Sequence, residues 1–280
     1  MKDSVRKILS LVLIAVFLVS TSMFAIQFFD KQAGSATYDE AQQLANLAAT
    51  ESTVVTPVTE ATEPPETTEP TGPTQSMWTP APVTDDPHME ELAGTDLDAL
   101  RQENEDVVGW IYIPDTKIHY PIVQGEDNEH YLTHTWNNKR NYVGAIFMET
   151  LNNPNLVNFN TIIYGHNMRD GSMFAALQNY YTTEYWENHP YVYLVTDAGV
   201  LRYEIFSAYD ADVESQTYAL SFRQRSTRES FIQMAVENSD FDTGIIPEHT
   251  DLILTLSTCT GLGYSQRRVM HARLPMVQVQ

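Results

Sequence analysis

The chain has 280 residues, with 37 acidic against only 16 basic side chains, and its formal net charge is −21. This balance argues against nucleic-acid binding, because no basic stripe is present that could neutralise phosphates. The single cysteine excludes an intramolecular disulfide. Because that cysteine and the scattered histidines lack the spacing of metal ligands, we predict neither a metal site nor another cofactor.

The first thirty residues predict a membrane anchor. Residues 8–29 are uncharged and predominantly apolar, and as a helix they would span about 33 Å, against a hydrocarbon core of about 30 Å. Lys2, Arg6 and Lys7 precede this run, so residues 1–7 are expected in the cytoplasm and the rest of the chain outside the cell, in a single-pass membrane protein. The alternative is a cleaved signal peptide, although the apolar run is long for one and no Ala-x-Ala site follows it.

Residues 30–93 are predicted to form a disordered tether. From Val54 to His88 the sequence is rich in Thr, Pro and Glu, with almost no large apolar residue before Trp78. Such a composition cannot bury enough surface to offset the entropy lost on ordering, and its prolines favour extended conformations. The Ala- and Gln-rich stretch at residues 31–53 is compatible with a short helix.

Residues 94–280 are predicted to form one globular domain, because their number and mixed composition suffice for a single core. A short opening helix is expected at residues 96–104, with Thr95 or Asp96 as its cap. Short strand-like runs dominate the rest and together favour a closed or nearly closed β-barrel. Eight runs carry this pattern: residues 108–113, 119–124, 144–148, 160–164, 191–196, 201–209, 252–258 and 268–279.

Two helical insertions interrupt these strands. The first is predicted at residues 172–180, where Ser172 is suited to cap it. The second is predicted at residues 231–237, opened by a capping box at residues 226–229.

Cys259 ends an apolar, β-branched run that begins at Asp251, and two arginines follow shortly afterwards. Exported domains that use cysteine for stability normally carry it in pairs. A lone thiol at a strand end, with cations within reach, therefore favours a nucleophile. The alternative is a buried free cysteine that acts as a small hydrophobic residue.

Cleavage of an amide through a thioester requires a thiol, a proton carrier for the leaving amine and a donor for the developing oxyanion. His166 is the best candidate for the proton carrier, because it follows the strand-like run ending at Tyr164 and precedes a tight turn at residues 169–171. Gly165 beside it would let other groups approach closely. A surface or structural histidine is the alternative.

Arg267 and Arg268 are the candidates for the oxyanion donor, at the start of the final strand. Side chains alternate along a strand, so one of the two must face away from any shared site. A solvated surface arginine is the alternative for both.

In combination these segments resemble a known enzyme family. Thr255–Cys259, Tyr164–Met168 and an arginine followed by a hydrophobic strand are similar to the motifs of the sortases, the membrane-anchored cysteine transpeptidases of Gram-positive bacteria. Asp106–Pro114 and Tyr120–Gly125 further resemble the opening strands of class B sortases. The resemblance covers about Leu97 to Leu274.

The resemblance implies a mainly-β fold, the sortase-like eight-stranded β-barrel with an N-terminal helix and helical insertions, preceded by a single transmembrane helix. It implies that Cys259 is the nucleophile and that His166 protonates the leaving amine. The register of the family's arginine pattern selects Arg267, although the next residue is a second arginine. Ser257 is implied to lie near the substrate, and Tyr164 to line the site.

The resemblance also implies the reaction and the partners. A cysteine transpeptidase/endopeptidase of this class cleaves surface proteins bearing a C-terminal sorting signal, after its threonine, and transfers them to the amine of a peptidoglycan precursor or a pilin lysine. Two alternatives remain open: an L,D-transpeptidase-like cell-wall enzyme, which expects a His-Gly-Cys run, and a catalytically silent extracellular binding module on the same barrel. The sorting motif and the amine acceptor are left open.

Overall fold

The computed structural model covers five parts of the chain: residue 13 and residues 16–21, 32–45, 78–259 and 265–278, with Cys259 described by its backbone alone. Of the predicted anchor at residues 8–29, the described part is helical and exposed. The remainder of it lies outside the described residues, as does the stretch 1–7 that is predicted to be cytoplasmic. Over the part of the chain that is described, no helix is both long and apolar enough to cross a membrane.

The described residues form ten strands and five labelled α-helices. The strands are β1 (Trp78–Pro80), β2 (Val107–Tyr112), β3 (His119–Val123), β4 (Ile146–Met148), β5 (Asn160–Tyr164), β6 (Tyr191–Thr196), β7 (Gly199–Asp212), β8 (Leu252–Cys259), β9 (Gln266–Leu274) and β10 (Met276–Gln278). The helices are α1 (residues 32–45), α2 (Pro87–Leu92), α3 (Leu97–Glu103), α4 (Thr183–Asn188) and α5 (Arg225–Glu237).

Eight of the strands close into a barrel in the order β2-β3-β4-β5-β8-β9-β7-β6, which confirms the predicted architecture. Two pairs are parallel, β3 with β4 and β5 with β8, and the others are antiparallel. The predicted final strand, residues 268–279, is divided at Pro275, which has no N–H to donate to a ladder. After the proline, β10 leaves the barrel and pairs with β1.

The structure differs from the predicted tether, residues 30–93, at its N-terminal end. Helix α1 packs against the barrel and buries Tyr38, whose hydroxyl donates to the carbonyl of Gly144 at 2.6 Å. A second hydrogen bond runs in the opposite direction, because the indole N–H of Trp136 donates to the carbonyl of Thr37 in α1 at 2.9 Å. These contacts join residues about one hundred positions apart, so local composition could not reveal them.

The structure also differs from the prediction at the C-terminal end of the tether, because β1 and α2 form before the predicted domain boundary at residue 94. The carboxylate of Asp86 caps α2, and its Oδ2 also accepts from Tyr193 and from Arg202, each at 3.0 Å. This buried carboxylate therefore ties the segment to the barrel strands β6 and β7. Residues 30–31 and 46–77 of the predicted tether lie outside the described residues.

The structure confirms one of the predicted helices and corrects another. Helix α3 is capped by Asp96, which confirms the opening helix. The predicted helix at residues 172–180 is instead a 3₁₀ helix over Phe174–Asn179. Its predicted cap was wrong, because the hydroxyl of Ser172 donates to Asp170 at 2.6 Å.

Helix α5 covers the outer face of the barrel near β7 and β9. It begins at Arg225, earlier than predicted, with Gln224 before it and no side-chain cap. The predicted capping box at residues 226–229 was therefore wrong, because these residues lie inside the first turns of the helix. Phe231 and Ile232 of α5 are buried in a hydrophobic cluster on this outer face, separate from the main core of the domain.

A buried polar network lies in the same region and centres on His271, which is fully buried. Its Nδ1 lies 2.9 Å from the hydroxyl of Thr255, which donates to Asn160 at 2.7 Å, so Nδ1 carries the hydrogen. Its Nε2 lies 3.1 Å from the hydroxyl of Tyr209. Both ring nitrogens are thus bonded in the neutral form, and burial lowers the pKa of His271 to about 3.

We expect His271 to make the fold sensitive to acid. An unfolded histidine titrates near its ordinary pKa of 6.5, so this side chain contributes its full stability above that pH. The contribution is lost as the pH falls toward 3, because only the unfolded chain takes up the proton. Between pH 7 and pH 4 the loss is about 3 kcal/mol. Urea unfolding of the wild type and His271→Gln at both pH values measures it.

Carboxylates titrate in both proteins, so the difference between wild type and variant isolates the histidine. The stability advantage of the wild type should shrink on acidification. Parallel losses of unfolding free energy in the two proteins would contradict the neutral, buried state of His271.

Candidate active site

The site forms where β5 and β8 end side by side. These strands are parallel neighbours, so their C-terminal residues reach the same end of the barrel. Tyr164 and Ser257 are paired across them, and the N–H of Gly165 donates to the carbonyl of Ser257 at 3.1 Å. His166 therefore emerges beside the last residues of β8.

Gly144 makes room for the ring of His166, and Gly165 makes room for the side chain of Ile146. A Cβ on Gly144, whose φ is +64°, would lie 2.8 Å from Cδ2 of the imidazole, and one on Gly165 would lie 2.5 Å from the side chain of Ile146. Only glycine fits such close approaches. The Nε2 of His166 lies 2.7 Å from the carbonyl of Leu132, so this nitrogen carries a hydrogen and donates. The carbonyl thereby fixes the orientation of the ring.

The two consecutive arginines go to opposite sides of β9, as strand alternation requires. Arg267 is half-buried, and its Cα is paired with that of Cys259 across β8 and β9. Arg268 is fully buried and forms ion pairs with Asp240 at 2.5 Å and Asp210 at 3.3 Å. Only Arg267 reaches the cavity described next.

A cavity of about 300 Å³ lies at this end of the barrel. Four of the five residues predicted for the site line it: Tyr164, His166, Ser257 and Arg267. The fifth, Cys259, ends the strand that carries Ser257, and its side chain lies outside the described part of the structure. The fold thus gathers side chains that are more than one hundred residues apart in sequence.

Sequence reasoning missed other residues that line the same cavity, notably Asn128 and Tyr218. Tyr218 shares a hydrogen bond of 2.9 Å with the hydroxyl of Ser257. Asn128 follows β3 in a polar loop, and Tyr218 ends a 3₁₀ helix. Neither segment contains a sequence motif that indicates a functional site. Only their tertiary contacts identify them, because Asn128 bonds to Glu149 and Tyr218 to Ser257, residues distant in sequence.

The hydroxyl of Tyr164 donates to the carboxylate of Glu149 at 2.9 Å. Burial, with the neighbouring carboxylate, raises the pKa of Tyr164 above its ordinary value. Tyr164 is therefore a neutral phenol and not a base at physiological pH.

The chemistry available in the cavity is that of proton transfer and anion stabilisation. His166 is an imidazole and Arg267 a guanidinium that stays charged. Among the described residues, no cluster of three or more His, Cys, Asp and Glu side chains is arranged to hold a metal ion. The groups match general acid catalysis and oxyanion stabilisation.

Comparison with known proteins identifies the fold and the family. The family model of the sortase domain matches residues 111–275. Sortase B of Listeria monocytogenes is 36% identical over 179 residues, which cover 62% of this chain and 72% of that protein.

Solved structures of class B sortases are similar to this chain as well. The Staphylococcus aureus sortase B–substrate complex superposes with a TM-score of 0.61 at 28% identity, over 66% of this chain and 85% of that one. Clostridium perfringens sortase B gives a TM-score of 0.60 at 31% identity, over 65% of this chain and 100% of that one. The chain therefore belongs to the sortase family of cysteine transpeptidases, as a class B member.

Proposed function

We propose that this protein cleaves a C-terminal sorting signal after its threonine and transfers the new carboxyl end to an amine at the cell surface. Cys259 is the nucleophile, His166 the proton carrier and Arg267 the oxyanion donor. Ser257 and Tyr164 contact the bound peptide. The substrates are surface proteins bearing the signal.

In the first half-reaction the Cys259 thiolate attacks the carbonyl carbon of the threonine. Negative charge develops on the carbonyl oxygen, and the Arg267 guanidinium stabilises it by hydrogen bonds and by charge. The C–N bond then breaks, and the leaving amine takes its proton from the His166 imidazolium. A thioester between Cys259 and the threonine remains.

In the second half-reaction an amine attacks the thioester carbonyl. The neutral His166 accepts a proton from that amine, a new amide bond forms and the C–S bond breaks, which regenerates the thiolate. The acceptor is an amine of a peptidoglycan precursor or a pilin lysine. Water in its place would give simple hydrolysis.

One observation supports this assignment more than any other. His166, Ser257 and Arg267 line a single cavity, and β8, which supplies Ser257, ends at Cys259, the Cα partner of Arg267. Directly opposed residues in antiparallel strands have Cα atoms about 4.5–5.5 Å apart. Cys259 and Arg267 are therefore neighbours on adjoining strands, which supports their assignment as nucleophile and oxyanion donor.

We further propose that residues 8–29 anchor the protein in the cell membrane, with the catalytic domain outside. The apolar length of this segment and the positive charges before it support that topology. A reactive domain held at the outer surface meets both exported proteins and cell-wall precursors.

Peptide cleavage tests the proposal. The purified full-length chain is incubated with a library of sorting-signal peptides, and the cleaved bond is identified by mass. We expect scission directly after threonine, and a ligated product when an amine such as triglycine or a lysine peptide is added. Scission at another residue would refute the assigned specificity.

The same experiment separates the rival functions. A silent binding module would bind peptides without cleaving any of them. An L,D-transpeptidase would act on peptidoglycan stem peptides and ignore threonine-containing sorting signals. Turnover of stem peptides alone would therefore replace the proposed function.

Arg267→Ala is expected to lower kcat by about 10²–10³-fold, because one oxyanion donor is lost. Its effect on KM should be smaller, since the charge it stabilises develops mainly in the transition state. Arg267→Lys keeps the positive charge and should recover part of the loss. Steady-state kinetics on the best library peptide gives both constants, and an unchanged kcat in the alanine variant would remove Arg267 from the mechanism.

A further inference from the structure

Two residues that line the cavity share a buried carboxylate that the mechanism does not use. Glu149 directly follows β4, and only 6% of its surface is exposed. Its N–H donates to the carbonyl of Ile162 on β5 at 2.9 Å, and its own carbonyl accepts from the side chain of Gln124 at 2.9 Å. The backbone at Glu149 is therefore held from both sides.

Three donors satisfy this carboxylate. Its Oε2 accepts from the side-chain amide of Asn128 at 2.8 Å and from the hydroxyl of Tyr164 at 2.9 Å. Its Oε1 accepts from the N–H of Leu151 at 3.2 Å. Over the described residues, no ion pair to Glu149 is found. A buried carboxylate costs free energy unless it is well bonded, so these contacts are needed.

Both side chains that share Oε2 line the catalytic cavity, whereas Glu149 itself does not. Asn128 is fixed at its other end too, because its Oδ1 accepts from the N–H of Thr150 at 3.0 Å. The amide of Asn128 thus has one defined orientation. With its hydrogen directed to Glu149, the oxygen of Tyr164 offers only lone pairs to a ligand.

We infer that Glu149 is a positioning residue, whose single oxygen Oε2 holds Asn128 and Tyr164 in the orientation that binds the peptide. This inference rests on the proposed function. The two cavity residues then present a fixed pair of groups, an N–H donor on Asn128 and an acceptor on Tyr164. Such a pair matches the C=O and N–H groups of an extended peptide.

Binding to an inactive protein tests the inference apart from the chemical step. In the full-length Cys259→Ala background, we compare Glu149→Gln and Glu149→Leu by fluorescence anisotropy with the best-cleaved library peptide. Glutamine keeps an oxygen that can accept from both partners, so its Kd should stay within about threefold of the parent. Leucine has similar size and no acceptor, so its Kd should rise by about tenfold, the equivalent of about 1.4 kcal/mol.

One control distinguishes positioning from a general loss of stability, and one further variant guards against misfolding. Glu204→Leu removes a half-buried carboxylate that pairs with Arg273 at 2.8 Å, away from the cavity. It should lower Tm without changing the peptide Kd. Glu149→Ala replaces the leucine variant if the latter does not fold.

A double-mutant comparison shows whether the effect passes through the two cavity residues. When Asn128→Ala and Tyr164→Phe are both present, Glu149→Leu should weaken binding by no more than about twofold. A full tenfold effect in that background would overturn the inference. Equal losses in the glutamine and leucine variants would also overturn it, because charge rather than the acceptor would then be responsible.

A third measurement needs no peptide. The side-chain amide resonances of Asn128, assigned by comparison with Asn128→Asp, should shift and broaden in Glu149→Leu and remain sharp in Glu149→Gln. Failure of the library to yield any bound peptide would count against the proposed function alone. Unchanged Asn128 resonances in the leucine variant would count against the role of Glu149.

Discussion

Cys259→Ala is expected to abolish both cleavage and transfer, with turnover at least about 10⁴-fold below wild type. The thioester cannot form without the sulfur, and the remaining groups only bind and polarise the peptide. Cys259→Ser should be almost as inactive, because a hydroxyl is far harder to ionise than a thiol. Peptide cleavage followed by mass spectrometry measures all three proteins.

The composition of the chain supplies the control for this prediction. Because Cys259 is the only cysteine, a thiol-directed reagent should add one label to the wild type and none to Cys259→Ala. Prior incubation with a cleavable peptide should protect the wild type from labelling. Residual cleavage by the alanine variant at more than about one hundredth of the wild-type rate would exclude Cys259 as the nucleophile.

Arg268→Ala is expected to destabilise the fold by about 3 kcal/mol and to lower Tm by about 10 °C. Arg268 is fully buried and donates to the carbonyl of Tyr180. Its guanidinium carbon also lies 3.8 Å from the centre of the Tyr181 ring. Truncation leaves a void and a buried carbonyl without its donor. Thermal and urea unfolding of the purified protein measure the loss.

Arg225→Ala is the matched control, because Arg225 pairs with Glu229 at 2.7 Å while the two side chains are 69% and 49% exposed. Its loss should change stability by no more than about 0.5 kcal/mol. Well below its own Tm, Arg268→Ala should retain most of its activity, whereas Arg267→Ala should be stable and nearly inactive. The reverse pattern would mean that the two arginines have exchanged roles.

The strands were predictable because their signal is local. Runs such as residues 160–164 and 252–258 combine β-branched residues with burial on both faces, and the structure has β5 and β8 there. The parallel pairing of these two strands left no local signal, since it joins segments about ninety residues apart. The docking of α1 through Tyr38 was missed for the same reason.

Some residues of the candidate site were likewise predictable from the sequence, and others were not. His166 could be selected from sequence because a strand end, a glycine and a turn surround it. Glu149 could not be selected, because nothing in its neighbourhood distinguishes it from the many exposed acidic residues. Its burial between Asn128 and Tyr164 appears only when β4, β5 and the loop after β3 are brought together.

The amino-acid sequence by itself determined the family resemblance, the strand-rich domain and the candidate nucleophile, because each depends on residue types at short spacing. It also required that Arg267 and Arg268 face opposite ways. The family's arginine pattern selected Arg267 for the site, and only the tertiary structure decided what holds Arg268 away from the cavity. Asp240 and Asp210, which lie on other segments of the chain, form ion pairs with the buried Arg268, and such long-range contacts form only when the barrel closes.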